Sequence, residues 1–197
     1  MRLLAFSDLH CDLGQARRLV EQSAQVDVVV AAGDFAKVHR GLEKTINTLA
    51  AIKTPTILVP GNNETDAALR DACQGWDAAT VLHDGSAEID GVTFFGLGGG
   101  IPVTPWDWSF DLTDEAAAAS LDACPAGAVL VLHSPPQGHC DVAGGRHLGS
   151  QAIADAIPRR SPVLAVCGHI HESWGQESAI DATPIYNLGP KGRLLEV

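Results

Sequence analysis

The chain has 197 residues, of which 46% are hydrophobic and 19% charged; this is ordinary globular composition and predicts a single domain over residues 1–197. No apolar run approaches the ~18 residues that a membrane span needs, and the opening MRLLAFSD is too short an apolar run for a signal peptide. The net charge of −11 comes from 24 acidic and 13 basic residues, with no basic cluster longer than two, so we expect neither a membrane nor a long nucleic acid as partner, unless a bound cation supplies positive charge.

The cysteines carry no pairing signal. Five of them are scattered through the chain, odd in number and never in a C-x-x-C arrangement, which indicates neither a disulfide framework nor a zinc ribbon. Because reduced thiols are typical of cytosolic proteins, we expect a cytoplasmic location.

Apolar, β-branched runs recur along the chain, and each stops at Gly, Asp, Asn or His, which is typical of strands. Because the runs are continuous rather than alternating, we expect the strands to be buried on both faces. Strands that alternate with helices predict an α/β fold on a largely parallel sheet. In chain order, the strand-like runs are RLLAFSDLH, VDVVVAAGDF, TPTILVPGNN, VTFFGLGGG, AVLVLHSPP, PVLAVCGHIH and TPIYNLG, and the helix-like stretches are DLGQARRLVEQSA, HRGLEKTINTLAAI, TDEAAAASLDAC (with Thr113 as its expected N-cap) and SQAIADAI.

The segment VPGNNETD, residues 59–66, has two interpretations. Asparagine is depleted in strands and common in turns, so the segment is either a strand that runs into a helix-capping turn, with Glu64 and Asp66 favouring the helix start, or a strand end at which a functional site needs an amide. The residues at the other strand ends bear on this choice.

Side chains that bind metals stand at the end of five of the predicted strands. In open α/β sheets, ligands bind outside the carboxyl ends of the strands, so these side chains can converge. Two of the pairs are spaced i, i+2, and in extended chain this spacing puts both side chains on one face. We therefore expect one site formed by Asp8, His10, Asp34, Asn62, His133, His169 and His171.

The chemistry of these side chains indicates what the site holds. Imidazole and carboxylate suit borderline cations such as zinc, manganese, iron and cobalt. The set is too large for one tetrahedral ion, which indicates two ions, and Asp34 is the natural bridging carboxylate. A lone buried histidine is usually hydrogen-bonded core, and Gly-Asp is a common turn, but seven such residues at five strand ends are hard to explain by packing.

The segments SDLH, GDF, GNNE, LHSPP and GHIH, in this order over residues 7–171, resemble the five sequence blocks of the calcineurin-like metallophosphoesterase superfamily. LHSPPQGHCD and GHIHESWG are most similar to its small branch related to class III cyclic-nucleotide phosphodiesterases. The resemblance implies a four-layer αββα sandwich of two mixed sheets flanked by helices, with a two-metal site at the C-terminal ends of the strands. It also implies that Asp8, His10, Asp34 and His171 hold one metal and that Asp34, Asn62, His133 and His169 hold the other.

The function implied by the resemblance is hydrolysis of small phosphate esters, phosphodiesters before monoesters and nucleotides among them. A hydroxide that bridges two divalent ions (manganese, iron or zinc) would attack phosphorus. One alternative is a nucleotide-binding regulator that keeps its metals but turns over slowly, because Asn63 stands where the superfamily has a histidine. Another is a structural protein like the retromer subunit of this fold, which has lost metal ligands; the seven ligand residues present here argue against it.

The group that protonates the leaving oxygen is left open by these motifs. Asn63 does not titrate near neutrality, but its amide can donate a hydrogen bond to substrate. His39 follows the Asp34 loop and is the second candidate for a catalytic role. Trp106 and Trp108, in the long glycine-rich segment 97–112, either form a stacking wall for a nucleobase or aryl group or pack in the core. Ser7, Asp12 and Glu64, beside ligand positions, either orient ligands or cap helices.

Overall fold

A computed structural model describes all residues, 1–197, and contains two β-sheets that pack face to face. The first sheet has the strand order β13-β1-β2-β3-β4, in which β13 is antiparallel to β1 and the other neighbours are parallel. Its strands are β1 (Arg2–Phe6), β2 (Val28–Ala31), β3 (Thr56–Leu58), β4 (Ala79–Val81) and β13 (Arg193–Glu196).

The second sheet has the order β11-β12-β10-β7-β6-β5, in which the edge strands β5 and β11 are antiparallel to their neighbours and the four inner strands are parallel. A separate two-stranded hairpin, β8–β9, lies in the connection between β7 and β10. The strands are β5 (Gly85–Ile89), β6 (Val92–Leu97), β7 (Val129–Leu132), β8 (Val142–Ala143), β9 (Arg146–His147), β10 (Leu164–Cys167), β11 (Glu177–Ile180) and β12 (Thr183–Asn187).

The helices cover the outer faces of the two sheets. The apolar residues of α1–α3 pack on the first sheet, and those of α4 and α5 pack on the second. The helices are α1 (Leu13–Ser23), α2 (Leu42–Leu49), α3 (Asp66–Ala72), α4 (Asp114–Leu121) and α5 (Gln151–Arg160). None of these helices is both long and apolar enough to cross a membrane.

Strand β2 shows why the inner strands read as continuous apolar runs. Successive side chains of a strand point to opposite faces. Val29 and Ala31 face the helices, whereas Val28 and Val30 face the second sheet. Both faces are therefore buried, and the four-layer αββα sandwich implied by the sequence is confirmed.

Side-chain caps set the start of four helices, as the sequence predicts for α4. The Thr113 hydroxyl accepts a hydrogen bond from the amide of Ala116, which satisfies one of the free amides of the first turn. Thr65 caps α3 in the same way, so the GNNE turn is also the entrance to a helix. The other two side-chain caps are Asp12 on α1 and Ser150 on α5.

Candidate metal centre

The loops that follow five parallel strands meet at one end of the sandwich. Asp8 and His10 follow β1, Asp34 follows β2 and Asn62 follows β3 in the first sheet. His133 follows β7, and His169 and His171 follow β10, in the second sheet. A cavity of about 950 Å³ opens above them, and most of these residues line it.

Asp8, His10 and His171 form the first group of converging donors. The Nε2 atoms of His10 and His171 lie 3.1 Å apart, and each points at Asp8 Oδ1, at 3.9 Å and 3.6 Å respectively. A carboxylate oxygen and two imidazole nitrogens thus surround one point.

Asp34 and His133 converge with Asp8 in the second group, and the side chain of Asn62 adjoins them. His133 Nε2 lies 3.5 Å from Asp34 Oδ1 and 3.3 Å from the amide oxygen of Asn62. The other oxygen of Asp34 lies 3.5 Å from His10 Nε2 in the first group. Asp34 therefore lies between the two groups with one oxygen facing each.

These distances fit metal coordination. Atoms bound about 2.1 Å from one ion lie roughly 3.0–3.5 Å from one another, which matches most of the separations in the two groups. The charges fit as well: Asp8, Asp34 and Glu64 are 2%, 1% and 0% exposed, and no lysine or arginine pairs with any of them. Buried charges in proteins are paired or bind a metal, so Asp8 and Asp34 suit bound divalent cations.

The pKa values of the two aspartates shift in opposite directions, although both side chains are buried. Burial, together with the nearby Glu64 and Asp8 carboxylates, raises the pKa of Asp34 well above its usual range. Burial acts in the same direction on Asp8, but His171, His133 and the Ser7 hydroxyl outweigh it and lower the pKa of Asp8 to about 2.

Backbone carbonyls orient two of the imidazoles. His10 Nδ1 donates to Ala36 O at 3.2 Å, and His133 Nδ1 donates to Ala32 O at 2.8 Å. Each bond leaves Nε2 as the free nitrogen that faces the other donors. Burial lowers the pKa of both histidines, which favours the neutral, metal-binding form.

Asn62 is oriented by the long loop 97–112. Its Nδ2 donates to the Ser109 hydroxyl at 2.9 Å, and Ser109 in turn donates to Asp111 Oδ1 at 2.6 Å. Because the amide nitrogen is held there, the oxygen faces His133. This supports the interpretation of Asn62 as a residue that contributes its carbonyl oxygen.

His169 is placed less directly than the other six predicted ligands. Its ring packs edge-on against His133 with the ring centroids 5.0 Å apart, and it lines the cavity, but its nitrogens belong to neither close group. Its backbone amide donates to Asp8. Burial and the neighbouring His133 lower the pKa of His169 to about 3, so its imidazole is neutral.

The backbone at the site corrects one premise of the sequence analysis. The i, i+2 spacing predicts extended chain, but the residues lie in turns, with φ of 55° at Asp8, 43° at His10 and 66° at His169. Left-handed backbone is costly for residues other than glycine and persists only where surrounding contacts impose it. The pairs do reach one site, but tight turns bring them there rather than one strand face.

Glu64 fixes the two turns that carry Asp34 and Asn62. Its buried carboxylate accepts hydrogen bonds from the amides of Asp34 (2.8 Å), Phe35 (3.3 Å), Ala36 (2.9 Å) and Gly61 (2.8 Å). Glu64 therefore acts as the orienting group rather than as a helix cap. The sequence signal was its position two residues after a ligand.

Two glycines allow these turns to touch. A Cβ on Gly33, whose φ is +89°, would lie 2.6 Å from Gly61 Cα and 2.7 Å from His133 Nδ1. No other residue fits at this contact without displacing a ligand.

Asn63 is buried beside Asp34, and both ends of its amide have protein partners. Nδ2 donates to Asp34 Oδ2 at 2.7 Å, and Oδ1 accepts from the amide of Val38 at 2.8 Å. Its backbone amide also donates to Asp34 Oδ1 at 2.8 Å. Asn63 lines the cavity, but its principal contacts position Asp34.

His39 does not join the site. It is exposed, its Nε2 donates to Trp108 O at 2.5 Å, and it is absent from the residues that line the cavity. The structure thus gives His39 a contact with the tryptophan loop instead of a position beside the predicted ligands.

Trp106 and Trp108 line the cavity, with their rings stacked at 5.5 Å and an interplanar angle of 14°. Trp106 is 50% exposed, so it is not core packing. Five of the seven exposed large apolar side chains line this one cavity, namely Val38, Val103, Trp106, Leu148 and Trp174. The sequence singles out only Trp106 among them; the other four are visible as cavity-lining residues only in the fold.

A model of the calcineurin-like phosphoesterase family matches residues 1–173, and the chain belongs to this family. Human metallophosphoesterase domain-containing protein 1 is 30% identical over 125 residues, which are 60% of this chain and 35% of that protein. UPF0046 protein K07C11.7 of Caenorhabditis elegans is 26% identical over 168 residues, which are 76% of this chain and 58% of that protein. The chain thus spans less than two thirds of the length of these relatives.

Solved structures share the fold. TT1561 of Thermus thermophilus superposes with a TM-score of 0.78 at 17% identity, covering 96% of this chain and 90% of that one. An archaeal phosphodiesterase superposes with a TM-score of 0.58 at 18% identity, covering 96% and 84%. At these identities the similarity establishes the architecture.

Proposed function

We propose that residues 1–197 form a single domain that hydrolyses small phosphate esters, phosphodiesters before monoesters, with two divalent ions of manganese, iron or zinc. The observation that carries the proposal is the pair of donor groups, built on buried carboxylates without a cationic partner, below a cavity of about 950 Å³.

The two ions would share Asp34. One would be held by Asp8, His10, Asp34 and His171, and the other by Asp34, Asn62, His133 and His169. When bound, such ions supply Lewis acidity toward the phosphoryl oxygens and make hydroxide available near neutral pH.

The residues of the chain fix the geometry in which this chemistry takes place. Asn63 and Glu64 hold Asp34 from two sides, and Trp174 Nε1 donates to Asp8 Oδ2 at 3.2 Å. Because Asn63 and Glu64 are buried, Asp34 is positioned before substrate arrives, which avoids reorganisation during the reaction.

The cavity wall indicates an organic group on the ester. Trp106 and Trp108 offer a stacking surface to an aryl group or a nucleobase, one of the two roles expected for them from the sequence. With a net charge of −11 and no basic groove, long nucleic acid is disfavoured. The proposed substrate is therefore a small ester with an aromatic or apolar substituent, nucleotides included. The proposal places the protein in the cytoplasm, on the basis of five scattered cysteines, none of them paired.

A nucleotide-binding regulator with little turnover is the second candidate. It is favoured by one observation, the commitment of the Asn63 amide to Asp34 and Val38 at the position where the superfamily has a histidine. The two candidates differ in turnover and not in metal content.

Elemental analysis after manganese loading, combined with a panel of aryl diesters, aryl monoesters and cyclic nucleotides, tests the proposal. We expect about two ions per chain and the fastest turnover on aryl diesters. Loss of a residue that supports a metal ligand costs about 10–100-fold in metal affinity. Asp34→Asn should cost more than this, because Asp34 is itself a proposed ligand. The matched control Asp107→Asn, an exposed aspartate in the loop 97–112, should leave metal affinity unchanged.

The outcomes separate the candidates. Two ions with nucleotide binding but no turnover of any ester would favour the regulator. A chain that retains no metal after loading would refute both.

A further inference from the structure

Hydrolysis of an ester with a basic leaving group requires a proton for the departing oxygen. Neither Asn63 nor His39, the two residues proposed from the sequence, supplies this proton. The amide of Asn63 is occupied by Asp34 and Val38, and the ring of His39 is held outside the cavity. His10, His169 and His171 line the cavity as proposed metal ligands. One further histidine, His147, lines the same cavity.

His147 is oriented by a buried carboxylate. Its Nδ1 donates to Asp141 Oδ1 at 2.6 Å, and the side chain of Asp141 is completely buried while that of His147 is 53% exposed. Asp141 Oδ2 accepts from the amides of Gly138 and Gly149, both at 3.0 Å. Because these contacts fix the carboxylate and the ring, Nε2 of His147 is the free nitrogen, and it has no protein partner.

The hairpin that carries His147 is fastened to the turn that carries the metal ligand His171. The amide of Val142 donates to the Ser173 hydroxyl at 3.0 Å, and the amide of Gly144 donates to Glu172 Oε2 at 3.0 Å. His147 therefore stands in the cavity wall on the His171 side.

The carboxylates on this wall do not offer a proton, and Lys37, which also lines the cavity, belongs to the loop after β2. Asp114 Oδ1 accepts from the Ser150 hydroxyl and from the amide of Ala152, and Glu172 is bonded to Gly144. Arg146, beside His147 in β9, does not line the cavity. Carboxylates that already accept hydrogen bonds stay acceptors, whereas an imidazole that bonds a carboxylate through Nδ1 can donate through Nε2.

We propose that His147, oriented by Asp141, is the general acid for the leaving group; this rests on the proposed hydrolysis. As the oxygen of water forms a bond to phosphorus, the bond from phosphorus to the leaving oxygen breaks and its electron pair stays on that oxygen. The Nε2 proton of the protonated His147 ring passes to the leaving oxygen and gives the free alcohol or phenol. The proton released from the attacking water restores the ring through solvent, so atoms and charge balance.

A series of aryl methyl phosphates, from nitrophenyl through phenyl to methoxyphenyl, tests the proposal with the manganese-loaded protein. A general acid contributes about 10²–10⁴-fold, and least for leaving groups that need no proton. We expect His147→Asn to stay within about threefold of wild type on the nitrophenyl ester and to lose about 10²-fold on the methoxyphenyl ester. Asp141→Asn, which keeps the ring but not its orienting carboxylate, should lose about tenfold on the latter.

The control is His139→Asn, a histidine of the same loop whose Nδ1 bonds the Ser178 hydroxyl at 2.7 Å and which does not line the cavity. It should leave the whole series unchanged. The affinity for orthovanadate, measured by calorimetry, gives a readout that does not depend on turnover. One vanadate oxygen would occupy the position of the leaving oxygen and accept the His147 proton. The affinity should therefore fall more than tenfold in His147→Asn and stay unchanged in His139→Asn.

Two outcomes overturn the assignment of His147 while leaving the proposed hydrolysis intact: an equal loss by His147→Asn on every ester at the manganese content of wild type, or no loss on any ester. If the wild-type protein neither hydrolyses the esters nor binds vanadate, the proposed hydrolysis falls together with the assignment. The manganese content of each variant, measured on the same samples, shows whether an equal loss of activity comes from lost metal.

Discussion

Replacement of Glu64 by glutamine should destabilise the protein by about 2 kcal/mol even when no metal is bound. The buried carboxylate accepts four backbone hydrogen bonds. Burial outweighs these bonds and raises the pKa of Glu64, so the loss of charge is not the main cost of the substitution. The amide of glutamine, however, turns a donor toward the amide of Ala36, and a buried donor left without an acceptor costs about 1–3 kcal/mol.

Urea unfolding in EDTA, followed by the fluorescence of the four tryptophans, measures this free energy. Folded domains are stable by about 5–15 kcal/mol, so Glu64→Gln should remain folded without urea. Glu88→Gln, an exposed glutamate on β5, is the matched control and should change the free energy of unfolding by less than about 0.5 kcal/mol. A change below about 1 kcal/mol for Glu64→Gln would show that the four contacts do not hold the turns.

Three other changes follow from the same contacts. Asn63→His cannot keep the amide bonds to Asp34, so manganese affinity in a chelator competition should fall about tenfold, and an unchanged affinity would contradict the positioning role. Burial raises the pKa of Asp141, but the hydrogen bonds from His147 and two loop amides outweigh burial and lower this pKa from the usual 3.8. The ionised carboxylate therefore stabilises the fold above pH 3.8, and this contribution is lost as the pH falls below 3.8. In urea titrations, the stability difference between wild type and Asp141→Asn should shrink over that range; a difference that grows would contradict the argument. Trp106→Ala should raise KM for bis-aryl diesters about three- to tenfold in initial-rate assays, since one stacking contact is worth about 0.5–1.5 kcal/mol. KM for a methyl ester should stay unchanged; an equal rise for both substrates would assign the ring a structural role.

The sequence predicts the inner strands because burial on both faces leaves an uninterrupted apolar run, as in VDVVVAAGDF. The edge strands do not have this signal. Strand β5, GSAEI, and strand β11, ESAI, alternate between exposed and half-buried residues, because only one face of each strand is covered. The sequence-based prediction therefore omits β4, β5, β11 and β13, and with them the antiparallel edges that make both sheets mixed.

The candidate metal centre is predictable to the same extent as the strands that carry it. Each proposed ligand stands at the end of a buried run, so its position can be identified without tertiary information. The groups that orient the ligands are different, because their partners lie far away in the chain. Glu64 bonds amides about thirty residues earlier, and His147 belongs to a short hairpin with no apolar period. Only the folded chain shows what these residues contact.

The origin of the ligands has a consequence for stability. Asp8, His10, Asp34 and Asn62 come from one sheet and His133, His169 and His171 from the other, so each donor group draws on both sheets. Ions bound there would act as cross-links between the two halves of the sandwich, beyond the apolar contacts of the inner layer. An ion present at about a thousand times its dissociation constant adds about 4 kcal/mol to the stability of the folded state. The melting temperature of the protein thus becomes a measure of occupancy, by which manganese, iron and zinc can be ranked before any substrate is known.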